Sequence, residues 1–103
     1  MPDAPGEPPV SAMRLDLFLW YARLAKSRSL ATELTRRGVV RLDGRRIERA
    51  HAPVRVGSTI ALVHHDRVRV LRVARLPERR GPAAEAAALY IDLSPVDAPQ
   101  TAQ

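Results

Sequence analysis

The stretch LDLFLWYARLAKSRSLATELTRRGVVRL, Leu15–Leu42, decides how the chain folds. It reads as two short helices and a strand, with basic residues at the joints. Leu15, Phe18, Leu19 and Ala22 recur at helical spacing and predict a first helix over Leu15–Ala25. Leu17, Trp20, Tyr21 and Leu24 cover much of the rest of its surface. Asp16 and Arg23 share a strip only about 20° wide. A helix that is apolar almost all round must be covered on more than one side. Trp20 and Tyr21 therefore read first as core residues, with stacking of nucleic-acid bases as the alternative.

The second helix has a start and a stop. Ser27 can cap its N-terminus by accepting an orphan N–H. Gly38 can end it, because glycine enters the left-handed region without a Cβ penalty. Between them Leu30, Ala31 and Leu34 form an apolar underside. Arg28 and Arg36 lie about 80° apart, away from that stripe, and Arg37 flanks it on the other side.

Further along, Val39–Leu42 and Arg46–Ile47 flank Asp43-Gly44, a dipeptide suited to a tight hairpin. Val40 and Leu42 are expected to face inward and Arg41 outward. Arg45, Arg46 and Arg49 add to the cationic side. Val54 and Val56 precede a second turn at Gly57-Ser58, and Thr59–Val63 reads as a strand with Ile60 and Leu62 inward. His64-His65-Asp66 reads as a hairpin turn. Together with His51 it lacks a ligand spacing, and no metal is expected. Arg67–Leu76 alternates and then slips, which suggests a bulge or a strand partly buried on both faces, its arginines solvated. Pro77–Gly81 reads as a loop. Pro82 suits the first turn of a helix over Ala83–Tyr90, which could dock Leu89 or Tyr90 on the core and cover the first helix. Residues 1–12 and 93–103 are rich in proline and polar residues and are expected to be disordered tails around one domain at 13–92.

Charge narrows the function. The chain has 17 lysines and arginines against 11 acidic residues, for a net charge of +6. All the basic residues fall between Arg14 and Arg80. Arg14–Arg55 alone holds 11 basic and 4 acidic residues, a difference of +7. Positive charge gathered on one small domain is the footprint of a polyanion binder. Arginine's planar fork suits phosphate and can stack on bases. No apolar run is long enough to span a membrane, and no secretory signal is seen. Cysteine is absent. A cytoplasmic protein is expected. No glycine-rich phosphate loop, G-x-S-x-G elbow or H-E-x-x-H motif occurs. These features favour a binding module over an enzyme, with no cofactor.

At Met13–Ile47, MRLDLFLWYARLAKSRSLATELTRRGVVRLDGRRI resembles the S4-type RNA-binding domain. The run RLD-x-FLW-x-AR-x-x-KSRSLA within it, and RRGPAAEAAALY further on, resemble the heat-shock protein 15 subfamily. The resemblance spans roughly residues 13–92. It implies an α+β fold: two N-terminal helices packed on a small antiparallel sheet, plus a short C-terminal helix. It implies binding to structured RNA, namely rRNA, with tRNA left open. It further implies a ribosome-associated heat-shock factor acting on large ribosomal subunits that carry a stalled nascent chain. A general RNA- or partner-binding accessory module is the alternative, and a monomer is expected. On this resemblance Arg14, Arg23, Lys26, Ser27, Arg28, Arg36, Arg37, Arg41, Arg45 and Arg46 form the RNA face. Lys26 and Arg28 flank the N-terminus of the second helix, where the free N–H groups already favour a phosphate. Other roles stay open: Arg23 as a salt bridge to Asp16 or a carbonyl cap, Arg36 and Arg37 as dipole partners, Ser27 as a cap alone. The sequence departs from the family pattern at Asp43, where Asn is common, and at Ser58, where Asp is common.

Overall fold

Helix ends set the path of the N-terminal half. The computed structural model describes residues 11–64 and 66–94. Strand β1 (Met13–Arg14) leads directly into helix α1 (Leu15–Tyr21). That helix is four residues shorter than its apolar pattern predicts. Arg23 takes φ +61°, which the helix cannot continue. Arg23 N–H donates to the Trp20 carbonyl and Leu24 N–H to the Leu19 carbonyl, at 3.1 and 2.9 Å. These two bonds form a Schellman ending, and Leu24 packs back with Leu19 in the core. The pattern ran on because Leu24 and Ala25 are buried after the helix has ended.

Helix α2 (Arg28–Arg36) follows its predicted limits. Ser27 Oγ accepts the Leu30 N–H at 3.0 Å, and Gly38 closes the helix at φ +74°. Strands β2 (Val40–Leu42) and β3 (Arg45–Ile47) form the expected hairpin. Asp43 and Gly44 both have positive φ, as a type I′ turn requires. Val40 and Leu42 are buried and Arg41 is exposed.

Strand β4 (Pro53–Val54) pairs antiparallel with β1, placing Val54 opposite Met13. This small ladder, absent from the sequence reading, supplies part of the missing cover for α1. The N–H groups of Leu15 and Asp16 donate to the carbonyls of Ala52 and Ala50. Helix α1 thus packs between α2 and the Ala50–Val54 segment.

Strands β5 (Thr59–His64) and β6 (Arg67–Val73) make the long hairpin. The expected turn at His64-His65-Asp66 falls partly outside the described residues, at His65. The six-pair register from Thr59↔Arg72 to His64↔Arg67 is unbroken, so the slip in β6 is not a bulge. Leu71 and Val73 face the core, while Val68 and Val70 lie on the other face of the sheet. Nor are the strand's arginines all solvated: Arg69 is half-buried and pairs with Asp92 at 3.4 Å.

Helix α3 (Ala83–Ala87) is shorter than predicted, with Pro82 as its N-cap. Tyr90 belongs instead to strand β7 (Tyr90–Asp92), which pairs with Leu71–Val73. The reason is the open edge of β6, whose backbone groups need partners. Leu89 reaches the core as expected, but α3 packs beside β7 and is not the main cover of α1. The larger sheet has the order β3-β2-β5-β6-β7. Its inner face, with Val40, Leu42, Ile60, Leu62, Leu71 and Val73, meets Leu15, Phe18, Leu19 and Leu34 of the helices. The fold is α+β, two helices on an antiparallel sheet plus a short third helix.

Of the tails expected to be disordered, residues 1–10 and 95–103 lie outside the described residues. Leu93 and Ser94 are anchored: Leu93 N–H donates to the Val70 carbonyl, and Ser94 Oγ accepts the Val70 N–H. No helix among the described residues is long and apolar enough to cross a membrane.

Candidate nucleic-acid interface

The positions of the ten predicted residues follow from the two ends of α2. At its N-terminus Lys26, Ser27 and Arg28 are all exposed. The first turn of α2 holds no acidic side chain. Its free N–H groups and the positive end of the helix dipole therefore meet two cations with no internal anion to neutralise them. That combination suits a phosphate oxygen.

At the other end, about 12 Å away along the axis, stand Arg36 and Arg37, both exposed. The Arg46 guanidinium lies against Gly38 so closely that a Cβ there would collide with it. Arg46 also pairs with Glu48 at 3.3 Å in a fully solvated contact. Arg41 sits across from Arg46 in the β2–β3 ladder, and Arg45 is exposed on the edge strand. Because Val40 and Leu42 face the helices, Arg41 faces away from them. Arg41 thus points outward as expected, on the same side of the sheet as Arg46 and away from the N-terminus of α2.

Two predicted residues have intramolecular partners. Arg14 grips Asp16 with two parallel hydrogen bonds, Nε to Oδ1 and a terminal nitrogen to Oδ2, both 3.0 Å. Asp16 is 1% exposed. Thr32 Oγ1 of α2 also donates to Asp16 Oδ2 at 3.0 Å. Burial alone would raise the Asp16 carboxyl. The hydrogen bonds from Arg14 and Thr32, the Arg14 charge and the Leu17 N–H outweigh it, holding the group below its ordinary value of 3.8. Asp16 is therefore an ionised tie between β1, α1 and α2, and it fixes how α2 sits. Arg23, for its part, is no partner of Asp16. Its Nε donates to the Gly81 carbonyl at 2.9 Å, the carbonyl contact left open above.

One feature near this face was missed in sequence. Arg80 Nε donates to the Trp20 carbonyl at 3.1 Å, and its guanidinium stands 5.6 Å from the centre of the Trp20 ring. With the Arg23–Gly81 bond it clasps the loop before α3 to the C-terminal end of α1. Trp20 is half-buried against the edge of the core, and Tyr21 is half-buried beside it with ring centres 5.6 Å apart. The core reading holds in part for Trp20, which packs against the core cluster. The signal was the basic pair Arg79-Arg80, which gave no clue to its distant partner.

Among the described residues there are four ion pairs, Arg14–Asp16, Arg46–Glu48, Arg69–Asp92 and Arg79–Glu85. None of them engages Lys26, Arg28, Arg36, Arg37, Arg41 or Arg45. These six cations can meet phosphates without breaking any of those internal pairs.

Comparison with known proteins agrees with this architecture. Residues 13–60 match the family model of the S4 domain, so the helix–helix–strand unit is that of this class. The chain is 38% identical over 84 residues to heat shock protein 15 of Escherichia coli K12, covering 82% of this chain and 62% of that protein. It is 37% identical over 78 residues to a heat shock protein 15 homolog of Aeromonas salmonicida, covering 76% and 58%. The solved structure of Vibrio cholerae heat shock protein 15, described as trimeric, superposes with a TM-score of 0.75 at 32% identity, covering 80% of this chain and 82% of that one. This chain belongs to the heat shock protein 15 family of S4-domain proteins. It spans about three-fifths of the length of the curated relatives it matches.

Proposed function

We propose that this protein binds structured RNA through the basic ends of α2 and the β2–β3 hairpin. The observation that carries the reading is the N-terminus of α2. A side-chain-capped helix end, free of acidic residues in its first turn, lies between exposed Lys26 and Arg28. Arg36, Arg37, Arg41, Arg45 and Arg46 extend the contact toward the hairpin, and Arg14 and Arg23 border it. Such contacts read backbone shape and charge more than base sequence. The activity is binding, not catalysis.

Family membership supports a narrower role. The protein acts in the cytoplasm on rRNA of the large ribosomal subunit, as a heat-shock factor for subunits that carry a stalled nascent chain on tRNA. Equilibrium binding to purified large subunits, with and without peptidyl-tRNA, tests this directly. Tighter binding to the obstructed subunits is expected, and equal affinity would remove the rescue role. The RNA reading is tested by salt. If about five phosphates are neutralised, log K falls with a slope of order −4 against log salt. A slope near zero would refute it.

A further inference from the structure

The C-terminal end of α1 carries a cluster that the phosphate site at α2 leaves unused. Arg80 and Arg23 cross between the same two segments. The Arg80 Nε donates to the Trp20 carbonyl, which also accepts the Arg23 N–H, both at 3.1 Å. The Arg23 Nε donates to the carbonyl of Gly81, the residue next to Arg80, at 2.9 Å. Each guanidinium is thus fixed at its Nε, and its terminal nitrogens remain for other acceptors. None of the four ion pairs among the described residues includes either arginine, and Glu85 beside Gly81 is taken by Arg79. Cations gathered without an anion repel each other, and an external anion relieves that. Aromatic surface stands beside them. Trp20 packs on the core and holds the Arg80 guanidinium 5.6 Å from its ring centre. Tyr21 is half-buried but no part of the core, and its ring lies against Trp20 at a 39° tilt. Arg23 also sits at φ +61°, and backbone strain of this kind gathers at ligand sites.

We propose that this cluster holds one unpaired nucleotide of the bound RNA. Its base stacks on Tyr21 and the Arg80 guanidinium, both backed by Trp20, and its phosphate meets the terminal nitrogens of Arg23. Aromatic rings and guanidinium planes are the surfaces on which splayed-out RNA bases stack, and the planar fork of arginine fits a phosphate. The inference rests on the RNA reading above. It adds a base contact to an interface made otherwise by shape and charge. Only Ala22–Ser27 separate this end of α1 from the start of α2, a span of at most about 25 Å. One RNA chain can therefore lie on both. Stacking accepts any base, because every base has a π-face. The preference it creates is for a bulged or looped nucleotide over a continuous duplex.

The test uses the full chain and two RNA hairpins that differ at one position, a bulged adenosine in the first and an abasic nucleotide in the second. Both carry the same phosphates. The unaltered protein should bind the first at least about fivefold more tightly, the low end for one stacked base. Only the first should change the emission of Trp20, the chain's single tryptophan. Tyr21→Ala should erase the preference while affinity for the abasic hairpin and the circular dichroism stay as they were. Tyr21→Phe keeps the ring and should keep the preference. Equal affinity of the unaltered protein for the two hairpins would overturn the proposal and leave the cluster as a clasp alone. A preference that survives Tyr21→Ala, or is lost in Tyr21→Phe, would also overturn it. So would an equal loss on both hairpins in Tyr21→Ala, since the ring would then serve the fold or the phosphate site. Failure of the unaltered protein to bind either hairpin would refute the RNA reading itself and this inference with it, an outcome distinct from the others.

Discussion

Replacing Asp16 by Asn should unsettle the whole N-terminal half, although it removes a single charge. Asparagine has nearly the same shape, so the change leaves no cavity. It cannot, however, accept both bonds of the Arg14 fork, because one terminal atom becomes an N–H₂ donor facing a donor. The Thr32 hydroxyl competes for the one remaining oxygen. Breaking a fully buried pair from one side costs about 3–5 kcal/mol. Arg14 is 48% exposed and can recover water, which lowers the expected loss to about 2–3 kcal/mol. For a domain of this size each kcal/mol is worth about 4–8 °C in Tm, so the midpoint should fall by about 10–20 °C. Thermal denaturation followed by circular dichroism reads this. The sign of the pH effect follows from the lowered Asp16 carboxyl. Its contribution is fully present above the ordinary value of 3.8 and is lost as pH falls through the lower folded value. Stability of the unaltered protein should therefore drop more steeply than that of Asp16→Asn on acidification below about pH 4. Asp92→Asn is the comparison, because Asp92 is 51% exposed against 1% for Asp16, and a pair so close to the surface is worth about 1 kcal/mol or less. If Asp16→Asn unfolds within about 0.5 kcal/mol of the unaltered protein, the buried tie does not organise α1 and α2.

Further outcomes follow from the joints of the fold. Ser27→Ala should cost about 1 kcal/mol through loss of the cap, while Ser27→Asp should keep stability yet weaken RNA binding, since a carboxylate occupies the phosphate position; equal RNA affinity for Ser27→Asp and the unaltered protein would refute the helix-end site. Gly38→Ala should destabilise by about 1 kcal/mol, because alanine resists φ +74°, while the exposed Arg46 guanidinium can swing clear of the new Cβ; an unchanged urea midpoint would contradict this. Truncation after Leu76 removes Arg80 and β7 together, so it should shift the emission of Trp20, the chain's single tryptophan, and lower Tm; an unchanged spectrum and Tm would show that the clasp is dispensable.

Where local chemistry dictates structure, the sequence was readable. Ser27, Gly38 and Asp43-Gly44 each impose a cap or a turn by their own side chain or its absence. They fix the ends of α2, and the first hairpin to within one residue on each strand. Periodicity failed where burial continues beyond an element. Leu24 and Ala25 are as buried as a helix would make them, but Arg23 has already turned the chain. An arginine at that left-handed position carries no glycine to announce it. The β1–β4 ladder and β7 were hidden for another reason. Their two or three residues satisfy backbone groups of distant segments, and no local preference selects them. At the candidate site the basic residues were visible as types. Their sorting was legible only in part: Arg41 outward followed from strand alternation, but Arg14 to Asp16, Arg23 to Gly81 and Arg80 to Trp20 depend on side-chain contacts that no pattern announces.

Arg28→Glu tests the central claim most directly. The substitution replaces the proposed phosphate ligand at the start of α2 with a carboxylate. Glutamate is a good helix former and is favoured in a first turn, so the fold should hold. One contact between a charged side chain and phosphate is worth about 1–3 kcal/mol, and reversal adds repulsion. Affinity for a structured rRNA fragment at 0.1 M salt should fall at least about tenfold. Arg67→Glu, exposed at the far end of the β5–β6 hairpin, changes the net charge equally and serves as the reference. A selective loss in Arg28→Glu with native circular dichroism is the predicted result. Equal losses in the two variants would mean that only bulk charge matters and that the end of α2 is not the RNA site.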